Sequence, residues 1–201
     1  MAMKAEDAAE LIDQDPTRDR FKQWAAIGIG ILAMLLAITG LGGANAGKEA
    51  TNNNIYAANA YSFYQAKYIR QTGYNIAADA IDLAYTQTPG LSPQALTDLK
   101  AKSEAYRKTA ARYESEPDTN EGKKQLLVQA KEFEEKRDHA LRQDPYFDYA
   151  EALLQIAIVL ISVSIVATLP WLAVLGGSLG AVGTLLMING FTLAIDIPGM
   201  S

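Results

Sequence analysis

"WAAIGIGILAMLLAITGLGG", residues 24–43, decides the fold class. Its twenty residues carry no charge, and a helix of that length crosses roughly 30 Å of hydrocarbon. Two more such runs lie near the other end of the chain: "YAEALLQIAIVLISVSIVATL" from Tyr149 to Leu169, and "WLAVLGGSLGAVGTLLMINGFTLAI" from Trp171 to Ile195. Pro170 stands between them and predicts a tight helical turn rather than one kinked helix. A fused helix of about 47 residues would exceed what a bilayer needs. Between the first run and the second pair, residues 44–146 form a polar stretch in which 14 basic and 14 acidic side chains sum to zero.

The expected architecture is therefore an all-α membrane protein. It has three transmembrane helices and a long extramembrane helical hairpin, or stalk, between the first and second. Residues 1–23 form an N-terminal cytoplasmic segment and 24–43 the first span. Residues 44–146 form the hairpin, 147–169 and 171–195 the other two spans, and 196–201 a tail. Residues 3–14 suggest a short helix. The acidic start does not resemble a signal peptide. Arg18, Arg20 and Lys22 precede the first span, and basic flanks favour the cytoplasm, so the hairpin is expected to be periplasmic or extracellular. Asp144-Pro145 reads as an N-cap and first-turn proline opening the second span.

The hairpin shows a seven-residue repeat. Ser62, Ala66, Ile69, Gly73, Ile76, Ala80 and Leu83 alternate at four and three, the spacing of a coiled-coil seam. After the turn "TQTPGLSP", Leu96, Leu99, Ser103, Tyr106, Ala110 and Tyr113 do the same. "SEPDTNEG" interrupts the returning arm, and Leu126, Ala130 and Phe133 resume it. An outgoing arm of roughly 63 Å and a broken returning arm of roughly 77 Å favour a two-armed stalk over a three-helix bundle.

Chemistry is sparse. With no cysteine and one histidine, His139, and no nucleophile triad, phosphate loop or zinc motif, nothing predicts a catalytic, cofactor or metal site. No segment is basic enough to suggest nucleic acid. "YSFYQAKYIRQ", residues 61–71, concentrates aromatic and basic side chains. Tyr61, Tyr64, Lys67, Tyr68 and Arg70 suit either packing within the chain or a grip on a second subunit. Gly176, Gly177, Gly180 and Gly183 let helices approach closely, within or between chains. Gln155 and Asn189, deep in the last two spans, are expected to bond across helices. Asp148 and Glu151 are candidates for a pore mouth, although helix N-terminal charge complementarity is the better explanation of them.

"FYQAKYIRQ", then "RQDPYFDYAEALLQIAIVLISVSI", then "WLAVLGGSLGAVGTLLMINGF" resemble the bacterial membrane proteins of domain-of-unknown-function family 4337. The order of elements agrees over roughly residues 20–195. Such proteins commonly carry basic residues between the last two spans, where this chain has "TLPW". The resemblance implies a bacterial inner membrane protein and supplies no activity. The expected role is non-enzymatic: a homo-oligomer in lipid that scaffolds membrane components. The alternatives are a passive channel or an accessory subunit of another membrane complex.

Overall fold

A computed structural model describes the backbone of residues 16–199 and the side chains of 19–199. The helix suggested at residues 3–14 lies outside the described residues. Four helices and no strand occur among those described: α1 Pro16–Gln87, α2 Pro93–Glu114, α3 Lys123–Ala167 and α4 Pro170–Thr192. Three of them, α1, α3 and α4, are long and apolar enough to cross a membrane. The chain divides into two compact units. An apolar unit holds the described residues up to Lys48 and from His139 onward, and a polar unit holds Glu49–Asp138.

Helix α1 is 72 residues long, roughly 108 Å at 1.5 Å per residue. Nothing in its interior forces a stop, because its only proline is its first residue. Its buried positions recur every seventh residue: Ala25, Leu32, Thr39, Ala46, Asn53 and Ala60. Such a repeat keeps one stripe turned toward neighbouring helices along the whole length.

Helix α3 runs unbroken through Pro145. The expected helix start at Asp144-Pro145 is therefore corrected. The proline removes one hydrogen bond, to the Leu141 carbonyl, which ordinarily costs about 3 kcal/mol. The next two side chains offset it, because Tyr146 and Phe147 are both buried. The turn expected at Pro170 is present. Thr168 takes a left-handed backbone (φ 55°), Leu169 caps without a side-chain bond, and Pro170 opens α4.

In the apolar unit, many of the buried positions are small residues, beside Leu32, Tyr146, Phe147, Leu154, Ile161 and Met187, while many large apolar side chains point outward. Ala150, Ala157, Thr39 and Ser164 are fully buried, and Gly176, Gly180 and Gly183 are buried beside them. Trp24, Met34, Val166, Val174 and Leu185 are mostly exposed. That distribution inverts a water-soluble core and suits helices packed in lipid, where close backbone approach rather than hydrophobic burial drives association. A small cluster of Leu32, Leu154, Ala157 and Ile161 completes the centre.

The polar unit is an antiparallel hairpin. The outgoing arm is the upper part of α1, and the returning arm is α2 followed by the start of α3. As numbers rise on α1, partners fall: Asp82 and Asp79 meet Arg107, Gln71 meets Ala110, Tyr61 meets Glu134 and Asn54 meets Arg137. Ser92 caps α2 by accepting from the Ala95 amide at 3.2 Å. The expected break holds, with residues 115–122 non-helical and Asn120 left-handed.

The predicted seam of α1 has the right period and the wrong phase. Ser62, Ala66, Ile69, Gly73, Ile76, Ala80 and Leu83 are all exposed. The face turned to α2 and α3 is Ala60, Tyr64, Lys67, Gln71, Tyr74, Ala78 and Ile81, each two positions earlier. Two residues rotate a helix by about 200°, so the two lines lie on opposite sides. On the returning arm the predicted line is the inward one, with Ser103, Ala110, Leu126 and Ala130 buried.

Candidate functional site

The aromatic–basic segment of α1 is placed where the returning arm breaks. Gly122 lets the arm turn there. A Cβ on it would collide with the backbone of Ser115 and Glu116 and with the Gln125 amide. The turn delivers Lys123 onto α1, where it is 8% exposed. Its Nζ donates to Gln71 Oε1 at 2.6 Å and to Glu114 Oε2 at 2.9 Å. It also stands 4.9 Å above the Tyr68 ring and 5.8 Å from that of Tyr64. A cation removed from water needs such compensation, and the carboxylate, the amide and two π faces supply it. The Lys123 ammonium, joined by the Gln71 amide, holds the Glu114 carboxyl below its ordinary value.

The neighbouring side chains repeat this chemistry. Lys67 lies 3.4 Å from Glu121 and 3.7 Å from Glu116, and 5.6 Å from the Tyr113 ring. Tyr74 packs against Tyr106 at 5.6 Å and Tyr113 at 5.8 Å. Tyr61 donates to Glu134 at 3.1 Å. Arg107 bridges Asp79 and Asp82. The Ser103 hydroxyl and then Arg107 hold Asp82 low. Tyr61 and Lys67 thus spend their polar atoms inside their own chain, and Tyr64 and Tyr68 each turn a ring to Lys123. Arg70 is exposed. A depression of about 360 Å³ beside Phe63, Lys67 and Glu121 offers no unpaired charge, since its lysine is already bridged.

In the apolar unit the glycines separate into two sets. Cβ atoms on Gly176, Gly180 and Gly183 would press on Ala157 and Ile161, on Leu32, and on Ala150 and Leu153 respectively. These three are the contact stripe of α4 against α1 and α3. Gly177 faces open space. Gln155 donates to Glu151 one turn away at 3.0 Å. Asn189 holds the backbone of Ile195 at both ends, at 2.8 and 2.9 Å. Both amides therefore find local partners rather than the interhelical ones expected. Asp148 is exposed, and Glu151 is half-buried and engaged by Gln155. Among the described residues no three of His, Cys, Asp or Glu gather where they would hold a metal ion.

Sequence reasoning passed over Phe147. Its ring fills a socket made by Gly42 and Gly43 of α1 and Gly190 of α4, and meets Phe191 edge-on at 4.8 Å. Tyr146 beside it accepts from the Ile197 amide at 3.0 Å and donates to the Ile195 carbonyl at 3.1 Å. The adjacent glycines closing the first apolar run were the available signal.

A family model described as a domain of unknown function, DUF4337, matches residues 21–193. The chain belongs to that family. No curated protein and no solved structure matches it. In this DUF4337 protein the matched region takes in both the Lys123 cluster and the Phe147 socket.

Proposed function

We propose that this DUF4337 protein is a bacterial inner membrane protein that crosses the bilayer three times. Its copies associate side by side, and the assembly organises other membrane components without catalysing a reaction. The observation that carries this is the distribution of used and unused surface. In the aromatic–basic segment and at the break beside it, Tyr61, Lys67, Gln71 and Lys123 are engaged within the chain. Large apolar faces, from Trp24 and Met34 on α1 to Val174 and Leu185 on α4, remain uncovered, as does the small face at Gly177. Lipid suits the former and a neighbouring helix the latter.

A channel would need a polar lining. The hydroxyls of Thr39, Ser162, Ser164 and Thr184 donate to carbonyls of their own helices instead, which leaves Asp148 and Glu151 without a path behind them. An accessory subunit of another complex would co-purify with that complex at fixed stoichiometry. The test of self-association is the particle mass in native lipid or mild detergent. Several copies per particle are expected, and a single copy would overturn the assembly.

A further inference from the structure

Beyond the apolar unit, α1 carries an apolar face that nothing among the described residues covers. Ile55, Ile69, Ile76 and Leu83 are 50, 70, 62 and 55% exposed. They stand at multiples of seven residues, with Ser62 filling the one gap. Ala66, Gly73 and Ala80 alternate with them, and Gly73 meets nothing within 4 Å. Ile69 to Leu83 lie 26 to 40 residues past Gly43, roughly 40–60 Å along the helix, too far for hydrocarbon to cover them. The inward stripe of Tyr64, Gln71 and Ala78 is on the other side, so α2 and α3 do not obstruct this face.

We infer that this face is where a second copy of the chain docks, its α1 parallel and in register with the first. The inference rests on the membrane and self-association proposed above, since copies inserted in one orientation present α1 in one direction. Contact sustained over four heptads requires a partner helix with the same seven-residue period, and α1 itself has one. In-register pairing stacks Ile69 on Ile69 and Ile76 on Ile76. Ala66, Gly73 and Ala80 face their counterparts between these layers and let the backbones close.

Charge is compatible with this pairing. The face itself is uncharged from Ser62 to Leu83, and its flanks carry only Arg70 and Asp79. Parallel register sets Arg70 opposite Gln65 and Asp79 opposite Ala84, with no like pair. The area also suffices. Ile55, Phe63, Ile69, Ile76 and Leu83 offer on the order of 100 Å² each. A pair would therefore bury about 1,000 Å² from these side chains alone, the size a specific interface needs.

The chain has no cysteine, so single cysteines report cleanly. The full chain in native membrane, carrying Ile69→Cys or Ile76→Cys, is oxidised, with Asp98→Cys on α2 as the exposed control. Both face variants are expected to give a homodimer band and the control none. A particle of several copies without cross-linking at 69 and 76 overturns this interface and leaves self-association standing. A single-copy particle overturns both. Cross-linking to a different polypeptide overturns the second copy as occupant. Independently, Ile69→Glu with Ile76→Glu is expected to lower the copy number at unchanged helix content, and an unchanged mass counts against the face.

Discussion

At the scale of single residues, Lys123 holds the most concentrated set of interactions in the polar unit. Lys123→Ala removes two charge-assisted hydrogen bonds and leaves Glu114 without its cation. It should cost about 2 kcal/mol in chemical unfolding monitored by circular dichroism. Arg70→Ala, at an exposed position outside this network, should change monomer stability by less than about 0.5 kcal/mol. Acid should act on the same contacts. Glu114 and Asp82 are both held below their ordinary values, so the folded state binds their protons less tightly than the unfolded chain. Their contribution is complete above the ordinary values of 4.5 and 3.8 and is lost as pH falls through the depressed ones. Thermal unfolding of the polar unit should therefore shift downward below about pH 4.5, and Glu114→Gln should flatten that dependence.

At the scale of elements, helix contacts in the apolar unit depend on absent side chains. Gly180→Leu would drive a side chain into Leu32, whose nearest carbon lies 2.7 Å from the place a Cβ would take. Overpacking of this kind costs about 1–3 kcal/mol. Gly177→Leu, which meets open space, should leave the monomer fold intact. Comparing the two in detergent-resistance assays separates contacts within the chain from contacts between chains. Phe147→Ala would empty the glycine socket and should cost about 3–5 kcal/mol. At the α3–α4 turn, Thr168 is a β-branched residue in the left-handed region. Thr168→Gly should therefore raise the unfolding midpoint by an amount equivalent to about 1 kcal/mol.

At the scale of the whole molecule, the three crossings proposed above dictate sidedness. Cysteines at Gly90, in the α1–α2 turn, and at Ile197 should be labelled from the same face of the membrane. One at Thr168 should be labelled from the other. Labelling of Gly90 and Thr168 from one face would contradict three crossings. A chain whose apolar unit turns large side chains outward should also fail to stay dispersed without surfactant.

The helical class, the three apolar segments, the two breaks in the hairpin and the family were all legible in the amino-acid order. Each depends on a local property: length without charge, proline and glycine placement, or a run of motifs. The seven-residue period of α1 was legible for the same reason. Which face turns inward was not. Counting apolar residues selects Ile69, Ile76 and Leu83, but the chain buries the opposite line. There, tyrosines, Gln71 and Lys67 meet the carboxylates and cations of the returning arm. Period is set by one helix alone, whereas phase is set by the chemistry of its partner. For that reason only the tertiary structure could turn Tyr61, Tyr64, Lys67 and Gln71 toward the returning arm of their own chain and leave the aliphatic face of α1 open.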